Sequence, residues 1–198
     1  MTAGATALDT VDAVTTHVPV ELNGRRVLVR LTVNDTEFER RAAVGLGAVT
    51  DHGLLQVLAG LPADEWFAWS MLDRREQRVL RGAPAGVIDR DGYCARRLLR
   101  SAARVEEVLV TARNARAGLR AASQFAPYAQ CVVRLPVAVA DEVTLLDAAL
   151  YGIGVIVGHG PDAAQVVAAA PFVVQRWSWA HWLFSERVVE QLLIPAQN

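Results

Sequence analysis

Lysine is absent from this chain: all 20 basic residues are arginine. That excludes a Schiff-base lysine, a phosphate-loop lysine, a Ser-Lys pair and any catalytic ammonium. Arginine stays protonated and is no base at neutral pH. Cysteine is scarce, with only Cys94 and Cys131. Their spacing fits no CxxC metal or redox pattern, and Cys131 lies in the apolar run CVVRLP, where cysteine acts as a small buried hydrophobe. A Cys94–Cys131 disulfide is not expected. The histidines, His17, His52, His159 and His181, never fall three or four residues from one another or from a cysteine, so a local zinc site has no support. No apolar run reaches the ~20 residues of a membrane-spanning helix, so no membrane partner is expected. The opening MTAGATALDTVDAV has no basic start followed by an apolar stretch, so no secretory leader is expected. Scarce cysteine without a leader predicts a reducing, cytoplasmic setting.

What the chain does have is apolar material, 53% against 21% charged, which suits a globular protein with a sizeable core. Residues 1–16 are small and polar and are expected to be flexible. Val18–Leu22 and Arg25–Val33 flank Asn23-Gly24, a pair that accepts the positive φ angles of a tight hairpin. Asn34 offers a helix cap, with Glu37 and Glu39 placed to favour the helix start. Residues 36–61 read as one or two short helices broken near Gly45 and Gly47. Residues 63–81 read as a longer helix carrying Trp66 and Trp69, 85–88 as a short strand, and 93–104 as a helix.

From Glu107 the pattern alternates. Strands are expected over 107–111, 130–135 and 153–157, and helices over 115–125, 137–151 and 161–170. An edge strand over 172–174 and an amphipathic helix over 178–193 follow. In 137–151, Val139, Val143, Leu146 and Leu150 recur at helical spacing and are expected to pack over the sheet. This alternation predicts an α/β fold: a mixed central sheet flanked by helices on both faces, with an N-terminal β-hairpin and helical extension. The expected boundaries are 1–16, an extension over 17–82 and an α/β core over 83–198, the last two able to form one compact domain.

Charge is unevenly distributed. Residues 74–120 hold twelve Arg against five acids, a surplus of seven, while the remainder holds eight Arg against sixteen acids. Arg74, Arg78 and Arg81, then Arg97, Arg100 and Arg104, then Arg113, Arg116 and Arg120 each recur at three- and four-residue steps. On helices, each set would form one stripe. Guanidinium forks suit phosphate oxygens, so the nine are candidate nucleic-acid ligands; the same spacing is also what the solvated face of any amphipathic helix would show.

Gly152-Ile-Gly154 is not read as a dinucleotide loop, because the residues around it are strand-like and open no helix. The stretch EVLVTARNARAGLRAASQFAPYAQCVVRLPVAVADEVTLLDAALYGIGVIV, starting at Glu107, carries a resemblance. An apolar strand, an Arg/Ala/Gln-rich helix, an apolar strand ending in Leu-Pro, a helix and a Gly-Ile-Gly turn into another strand follow in order. In this order the segment resembles the C-terminal half of the restriction-endonuclease-like, or PD-(D/E)XK, nuclease superfamily, over about residues 105–195. The resemblance implies a nuclease-like scaffold and, in an active member, Mg²⁺ held by two acids. Thr111 stands at the metal-binding acid position and Arg113 at the lysine position. Asp89 or Asp91 are the candidates for the upstream metal ligand, and Glu107 for a migrated one. Gln124-Phe-Ala-Pro-Tyr128 resembles the Q-x-x-x-Y of exonuclease-type branches, which makes Gln124 a further candidate.

These readings converge on a nucleic-acid-binding protein, DNA favoured over RNA, on a nuclease-like scaffold without catalysis. One alternative is an active Mg²⁺-dependent nuclease using Asp89, Glu106 or Glu107, with Arg113 and Gln124 in support. Another is a protein-interaction subunit, or a homodimer, joined through the Trp-rich C-terminal helix.

Overall fold

The structure, a computed structural model, describes residues 15–137, 141–174 and 177–193. The fold is α/β, and its centre is a mixed six-stranded sheet flanked by helices. Strands β1 (Thr15–Leu22) and β2 (Arg25–Val33) form the expected hairpin. Asn23 and Gly24 take φ of 52° and 70°, as a two-residue hairpin turn requires. The hairpin belongs to the central sheet, because β2 pairs antiparallel with β6 (Ala103–Thr111). Strand β7 (Gln130–Leu135) then pairs parallel with β6, and β8 (Gly154–Val157) parallel with β7. The last strand, β9 (Ala164–Val167), runs antiparallel to β8 and closes the order β1-β2-β6-β7-β8-β9.

Helices α4 (Ala115–Ala122) and α5 (Glu142–Leu150) make the crossovers between the parallel strands. The C-terminal helix α6 spans Trp179–Leu193. One face of the sheet forms the main core: Val29, Val108, Val110, Val133 and Val155 pack with Leu119, Phe125, Ala148, Phe184 and Val188. Gly118 sets the closeness of α4, because a Cβ there would lie 2.4 Å from Val133 Cγ1. The opposite face carries Leu28, Arg30, Glu107, Leu109, Val132 and Arg134; Leu109 and Val132 are buried, but none of the six joins either hydrophobic core cluster. The expectation of helices on both faces is therefore corrected: the helices that contact this sheet pack on the core face. Gln130 and Arg134 are half-buried, and Val132 is buried without joining the main core, whereas Cys131, Val133 and Leu135 enter it.

A second core lies beyond α6. It joins Leu54, Leu55 and Leu58 of α2 (His52–Ala59), Leu80 of α3 (Arg74–Arg81), Val87, Leu99 and Trp182. Helix α1 (Asp35–Ala43) starts at Asn34, whose side chain accepts the Glu37 N–H. Alongside sits a three-stranded sheet in the order β3-β5-β4, from β3 (Trp66–Ala68), β4 (Ile88–Asp91) and β5 (Cys94–Arg97).

Several expected elements are corrected. Residues 63–81 are not one helix: β3 and a 3-10 turn at Trp69–Met71 precede α3, whose capping box of Asp73 and Glu76 sets its start. Residues 93–104 are strand β5 and a connecting segment. Gly92, at φ 55°, is the first residue of the two-residue Gly92-Tyr93 loop between β4 and β5, a position that favours glycine and that a helical reading overlooks. The strand expected over 85–88 begins at Ile88. The helix expected over 161–170 is a short 3-10 turn followed by β9, and residues 172–174 form no strand. Val143, Leu146 and Leu150 are exposed, and Thr144 and Ala148 are the buried residues of α5 instead. Val139 lies outside the described residues, as do 1–14 of the expected flexible N-terminus; Thr15 and Thr16 belong to β1.

Candidate nucleic-acid interface

The site is built where the hairpin tip meets α4. Antiparallel pairing of Leu28 with Leu109 brings the start of β2 beside the C-terminal end of β6. Arg25 therefore stands next to the β6–α4 junction. There Asn114 caps α4 by accepting the Ala117 N–H at 2.9 Å. Ala115, Gly118, Leu119, Ala121 and Ala122 turn inward. Arg116, Ala117 and Arg120 are left outward, with Gln124 one turn on. Arg25, Asn114, Arg116, Ala117, Arg120 and Gln124 line one open concavity of about 550 Å³. Three guanidinium groups and two carboxamides face it, and no carboxylate does.

Gln124 also lines a neighbouring cleft of about 270 Å³ with Asn23, Phe125, Tyr128, Trp179, Leu183, Phe184 and Arg187. Phe125 and Phe184 are buried, and the Tyr128 ring stacks on Phe184 at 4.9 Å. A cationic groove thus continues into a cleft walled by aromatic rings. Near the groove, Asp141 at the start of α5 is held below the ordinary carboxylate value, chiefly by the Thr144 hydroxyl, with the charge of Arg116 adding to it.

The nine expected arginines do not form one surface. Arg116 and Arg120 join the groove, and Arg113 is exposed on the loop just before α4. Arg74, Arg78 and Arg81 do share α3, where they are exposed, and Arg81 approaches the Trp69 ring at 6.0 Å. The stripe Arg97–Arg100–Arg104 is corrected, because those residues lie on a strand, a connection and another strand. Arg97 donates to the Leu58 carbonyl at 2.8 Å and lies over Trp182 at 5.3 Å. Arg100 is paired with Asp64. Arg104 is exposed on β6. Beside them, Arg96 lies 4.8 Å from the exposed Trp66 ring and Arg90 4.2 Å from that of Trp69.

The candidate metal ligands are separated as well. Asp89 and Asp91 lie on β4 of the small sheet, where Asp89 accepts from Arg96 at 2.8 Å. Glu107 lies on β6 of the large sheet. A β-bulge there sets both Glu106 and Glu107 against Arg30, at 3.1 and 3.6 Å, and Glu106 also accepts the Thr32 hydroxyl at 2.7 Å. Among the described residues no group of three His, Cys, Asp or Glu side chains could hold a metal ion. This donor set does not fit Mg²⁺, which needs clustered oxygen ligands.

Trp182, which the protein-interaction alternative places on a contact surface of the C-terminal helix and which core packing accommodates equally, is buried beneath Arg97 in the second core. Arg25, Asn23 and Arg187 escape sequence reasoning. The Asn-Gly turn marks the hairpin, but only its pairing with β6 carries Arg25 to α4. Among the described residues, no helix is long and apolar enough to cross a membrane. No protein-family model matches the chain, and comparison with curated proteins and with solved structures finds no match.

Proposed function

We propose that the chain binds nucleic acid through the groove of Arg25, Arg116 and Arg120, and that it does so without hydrolysing it. The observation that carries this reading is the convergence of three arginines, from two distant segments, on one concavity that no carboxylate lines. Guanidinium forks and carboxamides are the groups that hold phosphate oxygens. The adjoining rings of Tyr128 and Trp179 supply surface on which bases stack. The strand–helix order from β6 to β8 keeps the nuclease-like resemblance as the scaffold for this reading. The separation of Asp89 from Glu107 supports binding over cleavage, since hydrolysis needs acids gathered around the metal.

Fluorescence anisotropy with labelled single-stranded and duplex DNA and RNA, over a series of salt concentrations, tests this. Affinity is expected to fall steeply with salt. Arg25→Ala, Arg116→Ala and Arg120→Ala are each expected to reduce the slope of log affinity against log salt by roughly one. Arg100→Ala removes a side chain already paired with Asp64 and is expected to leave that slope in place. Failure of the wild-type chain to bind any of the probes at low salt overturns the proposal.

A further inference from the structure

Three segments converge on the cleft beside the arginine groove. The hairpin supplies Asn23, the turns after α4 supply Gln124 and Tyr128, and α6 supplies Trp179, Ala180 and Arg187. The protein itself holds these walls in place. Asn23 opens the hairpin turn at φ 52°. Gln191 of α6 ties the hairpin down, accepting the Glu21 N–H at 2.7 Å and donating to the Glu21 carbonyl at 2.6 Å. The Tyr128 ring is braced by Phe184 at 4.9 Å and, edge to face, by His181 at 5.8 Å. The Trp179 ring is braced by His52 at 4.2 Å.

The space depends on a small residue. Ala180, Phe184 and Arg187 recur at i, i+4 and i+7 along one face of α6. Phe184 is buried, and at position 180 only a methyl group reaches the cleft. At about 270 Å³ the cleft lies at the small end of ligand pockets, which begin at ~300 Å³, so it suits one flat ring system rather than a larger molecule. Its lining pairs aromatic and aliphatic walls with two carboxamides and a guanidinium, and no carboxylate. Those are the groups that meet the faces and the edges of an unstacked base. The cleft is also continuous with the groove: Gln124 lines both, and Arg25 of the groove is two residues from Asn23.

We propose that this cleft takes one unpaired nucleobase while the arginine groove holds the adjoining phosphates, so that the chain selects single-stranded nucleic acid over duplex. The proposal rests on the groove being a nucleic-acid site. A duplex fills the groove with phosphates equally well, but its bases are stacked inside and enter the cleft only after unpairing. DNA and RNA strands present the same ring faces, so the shared ligand is the unpaired nucleotide.

Fluorescence anisotropy at fixed salt tests this with four labelled probes. These are an unstructured DNA strand of about twelve nucleotides, its RNA counterpart, an abasic deoxyribose strand of equal length and charge, and the DNA duplex. The wild-type chain is expected to bind an intact strand at least tenfold tighter than the abasic strand and the duplex. A gain confined to DNA or to RNA supports the proposal and names the nucleic acid. Ala180→Leu fills the cleft and is expected to bring the intact strands down to the level of the abasic one. Ala180→Met is the more adaptable variant should leucine disturb the far-ultraviolet circular dichroism spectrum. Arg116→Ala, by contrast, is expected to weaken intact and abasic strands alike. Equal wild-type affinity for intact and abasic strands overturns the cleft and leaves the groove reading standing. An intact-strand preference that both folded Ala180 variants retain also overturns it. Failure to bind any probe overturns the groove reading and this proposal together.

Discussion

Arg41 of α1 and Glu186 of α6 stand 145 residues apart and form a two-pronged ion pair at 2.7 and 2.8 Å, with both side chains almost wholly buried. Glu186 also accepts the Val49 N–H at 2.9 Å and the Trp182 indole N–H at 3.1 Å. Arg41 donates to Glu37 at 2.8 Å and to the Arg100 carbonyl at 2.6 Å. This one pair ties the N-terminal helix, the connection before α2, the segment before β6 and the last helix together. Glu186→Gln or Arg41→Met is expected to cost about 3–5 kcal/mol, because each leaves an uncompensated buried charge. Urea unfolding checks this. The double variant is expected to lose less than the two single losses together.

Acidification should reach the same network through Glu37. Burial alone would raise its carboxyl, but hydrogen bonds from Arg40 and Arg41 outweigh that and hold it below its ordinary value of 4.5. A depressed folded-state value means that stability is fully present above the ordinary range and is lost as pH falls toward the folded value. Urea midpoints followed from pH 6 to pH 3 are expected to drop, and Glu37→Gln is expected to flatten the drop.

The two thiols are expected to differ in reactivity. Cys94 is exposed, whereas burial pushes Cys131 up to about 12, with Glu107 adding to the effect. Thiolate is the reactive form. At pH 8, a thiol reagent should therefore label one cysteine per folded chain and two after unfolding, and Cys94→Ser should abolish the native labelling.

Packing on the core face gives a third contrast. Ile153→Ala should cost about 2–5 kcal/mol, as a large side chain lost from a buried site does. Gly118→Ala should cost about 1–3 kcal/mol by forcing α4 away from Val133. Arg75→Ala, on an exposed side of α3, should stay within about 0.5 kcal/mol. Similar losses for all three would contradict the placement of the core.

Catalysis is the remaining test. With Asp89 and Glu107 in different sheets, the purified chain is expected not to cleave DNA with Mg²⁺ or Mn²⁺. Cleavage by the wild type that Asp89→Ala/Glu107→Ala abolishes would overturn that expectation.

The sequence by itself determined the local features whose causes are local. Asn23-Gly24 made the first hairpin, Asn34 capped α1, and the apolar run at 130–135 made β7, because turn chemistry, capping and β propensity act within a few residues. The missing lysine also ruled out whole chemistries without any structure. Tertiary structure decided what depends on partners. Residues 93–104 carry arginines at helical steps, yet pairing with β3 and β4 made residues 94–97 a strand. Val143, Leu146 and Leu150 have the spacing of a buried face, yet α5 settled on Thr144 and Ala148, the small side chains that let it lie close to the sheet. The arginine groove likewise depended on antiparallel pairing of β2 with β6, which carried Arg25 to Arg116 and Arg120 across a separation that no sequence periodicity records.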